Sequence, residues 1–162
     1  MKKYLYIVFL LILSLNARAA YSDSLLYHPD ANAAADITDA IKQAKAENKH
    51  VLIMAGGNWC SWCHKFNRLA TADRQVDSLV KANYIVYHLN YSPENKNKAV
   101  FDHYGFPQRF GFPVFIVLDA DGNRIHTQNS GYLEQNNYYS KPKVMDFLRN
   151  WSPKALKAEN YN

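Results

Sequence analysis

The chain holds two cysteines, and they lie three residues apart in Gly57-Asn58-Trp59-Cys60-Ser61-Trp62-Cys63-His64. Cysteines at that spacing share one face of a helix, close enough to form a disulfide without moving the backbone. The preceding His50-Val51-Leu52-Ile53-Met54-Ala55 reads as a short buried strand. A strand running into an exposed Cys-x-x-Cys that opens a helix is the layout of a dithiol redox centre. Cys60 then falls at the helix N-terminus, where unpaired N–H groups and the helix dipole favour a thiolate. Cys63 lies one turn further in. Cys60 is the expected nucleophile, and Cys63 the thiol that resolves the mixed disulfide.

Other chemistries fit these residues less well. A purely structural disulfide closing so small a loop constrains the unfolded chain little. Zinc usually takes four ligands, and there is no second cysteine pair. Cys60, Cys63 and His64 make a soft set that suits Cu(I), so a copper-handling module is the alternative reading. The other available sulfurs argue against it, since Met54 is expected on the buried strand and Met145 on a distal helix. His64 follows Cys63 and either tunes it or simply faces solvent. No bound metal or cofactor is expected.

The N-terminus carries an address. Met1-Lys2-Lys3 is a basic start, Tyr4 to Leu15 is an apolar run, and Ala17-Arg18-Ala19 supplies small residues at the −3 and −1 positions. This reads as a cleavable signal peptide over residues 1–19. The apolar run falls short of the ~20 residues a spanning helix needs. With no cysteine near the cleavage point, no membrane anchor is expected after processing. The leader fits bacterial export, and the periplasm, where disulfides persist, is the expected compartment. The whole chain has 19 Lys+Arg against 14 Asp+Glu and a net charge of +5; the leader holds Lys2, Lys3 and Arg18 and no acid, which leaves +2. That charge points to no nucleic-acid partner. Residues 20–162 suit a single domain with a sizeable core.

The elements around the dithiol can be read in turn. Ala34, Ile37, Ile41 and Ala44 predict a helix over 33–48, capped by Asp30 or Asn32. The strand 51–55 precedes the active-site helix, which begins near Cys60 and turns Phe66 and Leu69 inward. A second helical piece over 74–82 buries Val76, Leu79 and Val80. Residues 84–90 alternate as a strand, and 99–104 form a short helix. Val114 to Leu118 is a continuous apolar run, as expected of a strand buried on both faces. Asp119–Asn123 is a hairpin turn into a strand over 124–128. Residues 131–140 form a loop, 142–151 a closing helix, and 152–162 a loose tail. The 119–123 turn is too short for a parallel crossover, so the sheet is mixed.

In this order the chain resembles the thioredoxin family over residues 33–151. Four features carry the resemblance. Ala44-Lys45-Ala46-Glu47-Asn48-Lys49-His50-Val51-Leu52 is similar to the approach to the first core strand in the exported thioredoxin-like branch, which includes the C-terminal domain of the periplasmic disulfide-interchange reductase. Trp59-Cys60-Ser61-Trp62-Cys63 is the dithiol motif. Gly111-Phe112-Pro113-Val114 is similar to the family's Gly-x-Pro, and Asp119–Asn123 to its last hairpin. The resemblance implies an α/β thioredoxin fold, a central mixed β-sheet flanked by helices on both faces. It implies a cis-proline at Pro113 facing the dithiol, with Trp59 a packing and partner surface. Trp59, Trp62 and Phe112 are expected to border a shallow apolar groove, where the Phe112 backbone pairs with an extended client.

Two departures matter. Cytosolic thioredoxins carry a buried aspartate six residues before the first cysteine, and here that residue is Met54, which cannot carry a proton. The dipeptide Ser61-Trp62 is neither the Gly-Pro of thioredoxin nor the Pro-His of the strong periplasmic oxidant. The expected function is thiol–disulfide exchange with protein disulfide or dithiol clients, served by a membrane or periplasmic redox partner. The leaning is towards a reductant or thiol-maintenance role.

Overall fold

The apolar run of residues 51–55 forms the centre of β1 (His50–Gly56), and every residue of that strand is buried. The structure, a computed structural model, describes residues 25–162, so the leader expected over residues 1–19 lies outside the described residues. Three further strands join β1: β2 (Tyr84–Asn90), β3 (Val114–Leu118) and β4 (Arg124–Asn129). Their order is β2-β1-β3-β4. β2 runs parallel to β1, β3 antiparallel to β1, and β4 antiparallel to β3. The last pairing follows from the turn, where Asp119 Oδ1 accepts from the amides of Asp121 and Asn123, each at 2.9 Å. β3 is buried along its whole length, as expected of an inner strand.

Among the described residues five helices cover the sheet: α1 (Ala33–Glu47), α2 (Ser61–Ala72), α3 (Arg74–Asn83), α4 (Lys98–His103) and α5 (Lys141–Asn150). α1 and α4 pack on one face with Ile37, Ala44, Val51, Ile53, Phe101 and Ile116. α2, α3 and α5 pack on the other with Leu52, Phe66, Val76, Phe115, Val144 and Leu148. Asn32 caps α1 by accepting from the Ala35 amide at 3.2 Å. Asp73 both ends α2 and caps α3, accepting from Gln75 and Val76, which is why the helical pattern breaks there.

Two segments are more ordered than their composition predicts. The stretch read as a loop over 131–140 contains a 3₁₀ turn (Ser130–Leu133) and a two-stranded ladder of β5 (Glu134–Gln135) and β6 (Tyr138–Tyr139). Asn136 and Asn137 turn this small hairpin in the left-handed region, at φ 51° and 58°, which asparagine tolerates better than most residues. The tail read as loose starts with a tether: Ser152 is buried, donates to the Arg149 carbonyl at 2.8 Å and accepts from the Ala155 amide.

Candidate active site: a disulfide at a helix N-terminus

β1 delivers the chain to Gly57, and a turn closed by the Cys60 amide on the Gly57 carbonyl at 2.9 Å starts α2. Cys60 is the N-cap residue of α2, with extended backbone, and its sulfur accepts from the Cys63 amide at 3.1 Å. Cys60 and Cys63 are joined in a disulfide with S–S 2.06 Å. The pair is recessed rather than exposed as the motif alone suggested: Cys60 is 4% and Cys63 2% accessible. The reason is that Tyr27, Leu26, Trp62 and Phe112 pack in one cluster with the pair.

Tyr27 lies in the stretch ahead of α1 and is 1% exposed. Its backbone is clasped to the active-site loop by two bonds: its amide donates to Asn58 Oδ1 at 3.0 Å, and Asn58 Nδ2 donates to its carbonyl at 2.7 Å. Its hydroxyl and the Cys63 sulfur fill the space over Gly56. A β-carbon at Gly56 would lie 2.4 Å from Cys63 Sγ and 2.9 Å from Tyr27 Oη. Burial, with Tyr139 nearby, pushes the Tyr27 hydroxyl well above the usual tyrosine range and keeps it protonated.

The rim is aromatic. Trp59 is 58% exposed, stands edge-on to Phe112 at 5.6 Å, and donates its indole N–H to the Tyr91 carbonyl at 2.8 Å. Phe112 also lies against Tyr91, at 4.8 Å between rings, and the Phe112–Pro113 peptide bond is cis. Trp62 packs edge-on against Tyr139 at 5.3 Å, with the Lys65 ammonium 4.0 Å above its ring. Beside Trp59 is an open depression of about 520 Å³ lined by Tyr91, Ser92, Pro93 and Lys96. His64 is exposed, and its Nε2 lies 2.9 Å from the Asn58 carbonyl, so the ring braces the loop rather than turning to a sulfur. Among the described residues no group of three or more His, Cys, Asp or Glu side chains is placed to hold a metal ion. Nothing in this geometry supports the copper reading.

The family of thioredoxin-like domains matches residues 37–141. The chain belongs to that family. The thioredoxin-like domain is 24% identical over 123 residues to the thiol:disulfide interchange protein DsbD of Haemophilus influenzae (strain PittGG). That match takes 74% of this chain and only 19% of the relative, so the chain spans about a fifth of the relative's length. Among solved structures, a disulphide isomerase from Xylella fastidiosa Temecula1 superimposes with a TM-score of 0.69 at 23% identity, covering 80% of this chain and 98% of that one. The oxidised C-terminal domain of Neisseria meningitidis DsbD gives a TM-score of 0.53 at 19% identity, covering 75% and 97%. These two likenesses establish the fold.

Within the thioredoxin-like domain the structure brings Cys60, Cys63, Trp62 and Phe112 into one cluster with Trp59 against Phe112, Pro113 follows Phe112 directly before β3, and His64 reaches back to the Asn58 carbonyl. The sequence reading missed Tyr27 and His88. Tyr27 lay in a polar lead-in with no periodicity to mark it. His88 lay within β2, where alternation alone could not say that it faces the buried disulfide end.

Proposed function

We propose that the protein is an exported thiol–disulfide oxidoreductase that exchanges disulfides with protein clients in the periplasm through Cys60 and Cys63. The observation that carries this reading is the disulfide whose first sulfur caps α2. On reduction, a Cys60 thiolate inherits the Cys63 amide as a hydrogen-bond donor and the positive end of the helix dipole. It attacks a client disulfide, one client sulfur leaves, and Cys63 then attacks Cys60 to release the second. The two client sulfurs are reduced and the Cys60–Cys63 pair is oxidised; the reverse sequence oxidises a client dithiol.

Trp59, Trp62 and Phe112 supply an apolar rim for a flexible protein segment, and the Phe112 backbone, just outside β3, offers peptide groups to an extended client. Periplasmic location is supported by the leader read over residues 1–19 and by the likeness to the interchange protein. Among the described residues no helix is long and apolar enough to cross a membrane. A membrane or periplasmic redox partner would reset the dithiol.

The test is covalent trapping. Cys63→Ala should accumulate mixed disulfides between Cys60 and exported proteins, and Cys60→Ala should accumulate none. Absence of mixed disulfides from the Cys63→Ala protein would overturn the reading. Direction is measured by equilibrating the pair with glutathione: a potential of about −270 mV marks a reductant like thioredoxin, and one of about −120 mV a strong oxidant.

A further inference from the structure

We propose that Arg109 and Arg124 form a docking site, away from the dithiol, for the carboxylates of an acidic segment of a protein client. The proposal deepens the oxidoreductase reading by giving the chemistry of the client, and rests on it.

A slip in the sheet sets up the pair. Between β3 and β4, Ile116 is paired with Thr127 and Val117 with His126, but Leu118 with Arg124, so Ile125 is passed over. Paired residues share a face of the sheet, and so do residues two apart on one strand. Arg124 therefore falls on the face of Thr127, where plain alternation would part them, and its Nη1 donates to Thr127 Oγ1 at 3.4 Å. Bulges on edge strands commonly re-aim a side chain in this way, and β4 is an edge strand of the sheet.

Beside that face lies the end of α4, where Tyr104-Gly105-Phe106 runs into a 3₁₀ turn (Pro107–Phe110). Arg124 Nη1 donates to the Tyr104 carbonyl at 2.7 Å. Arg109 Nη1 donates to the Gly105 carbonyl and to the Phe106 carbonyl, the latter at 2.9 Å. Three successive carbonyls thus draw two guanidiniums to one turn. Gly105 makes room for this: its φ is 73°, and a β-carbon there would lie 3.1 Å from Arg124 Nη1.

The anchoring bonds of both side chains run through Nη1. Neither arginine is ion-paired among the described residues. The Nη2 and Nε edge of a guanidinium is a fork that grips a carboxylate by two parallel N–H···O bonds. Side chains already held in place lose little freedom on binding. An open depression of about 350 Å³ lies between Arg109 and Phe110 on one side and residues 124–127 on the other, with no acid in its lining. Two neighbouring cations repel, and a bound carboxylate relieves that repulsion.

The rim supplies an apolar part. Phe106 is 54% and Phe110 37% exposed, and the Arg109 guanidinium lies 4.2 Å over the Phe110 ring. Phe106 is held at φ 56°, uncommon for a bulky residue, while its amide donates to the Phe101 carbonyl at 2.9 Å. Exposed aromatics beside arginine are the composition of binding hot spots. They select a peptide over a free small dicarboxylate, which would use the arginines alone. Gly111 alone separates Phe110 from Phe112 at the dithiol rim, so this surface continues into the one proposed for the client.

The experiment titrates the oxidised protein with a capped, cysteine-free peptide in which two glutamates flank a leucine, and follows the arginine Nε–H resonances by NMR. Binding should shift the signals of Arg109 and Arg124 and should weaken as salt is added. Glutamines in place of both glutamates should weaken it about tenfold or more, and so should Arg109→Gln or Arg124→Gln in the protein. Arg109→Lys and Arg124→Lys keep the charge but lose the fork, and should also bind less tightly than the parent. The unaltered protein decides the matter even where a variant fails to fold. Equal affinity for the glutamate and glutamine peptides, or binding that leaves both arginine signals unmoved, would overturn the proposal. Free glutarate binding as tightly as the peptide would overturn it too, marking a small-anion site. Peptide binding by a parent that exchanges no disulfide would uphold the surface and overturn the oxidoreductase reading instead.

Discussion

Cys60 and Cys63 are almost equally hidden when bonded, so exposure does not separate their roles. Position on α2 does, because only Cys60 has its sulfur at the cap with an amide pointing at it. In the reduced protein at neutral pH, iodoacetamide should therefore modify Cys60 first, with peptide mapping as the readout; faster labelling of Cys63 would reverse the roles. Gly56 is equally constrained by this pair. A methyl group there would press on Cys63 Sγ at 2.4 Å, and strand β1 cannot yield, being held by β2 on one side and β3 on the other. Gly56→Ala should lower stability by about 1–3 kcal/mol, the usual cost of overpacking, in urea titrations of the oxidised protein.

At the level of elements, the last turn of α5 shows how the helices on one face are locked to the sheet. Its terminal carbonyls have no partner within the helix. The Tyr84 hydroxyl at the start of β2 donates to the Leu148 carbonyl at 2.6 Å, and His50 Nδ1 at the start of β1 meets the Trp151 carbonyl at 2.8 Å. Tyr84→Phe leaves a buried carbonyl without its donor and should cost about 1–2 kcal/mol in the same titration. The regular elements were legible in the sequence because each has a clear period or run. Ile37 and Ala44 mark the inner side of α1, Val114 to Leu118 marks the inner strand, and Asp73 marks the break between α2 and α3. The β5–β6 hairpin was not legible, since two-residue strands show no alternation and the whole of 131–140 read as a loop. The rear wall of the site was hidden for a different reason. Tyr27 reaches Cys63 across more than thirty residues of chain, and only the clasp to Asn58 reveals it.

For the whole molecule, His88 sets a pH dependence of folding. Its folded imidazole sits at about 4, against 6.5 for the free group. As pH falls below about 6.5 the unfolded chain takes up a proton that the folded chain refuses, so stability falls until about pH 4 and then levels off. Between pH 7.5 and 5 this one group should remove about 2 kcal/mol, and His88→Asn should abolish most of that loss when urea midpoints are compared. The dithiol, its aromatic rim and its rear wall all sit at one end of the sheet, but they come from distant parts of the chain. The family match begins at residue 37, ten residues after Tyr27. A protease cut in the stretch between Tyr27 and α1 would spare every residue of the motif and free the tyrosine to swing away. Water would then reach the disulfide from behind, where Tyr27 now covers it. A single backbone nick there would thus open the disulfide from behind while leaving its motif intact.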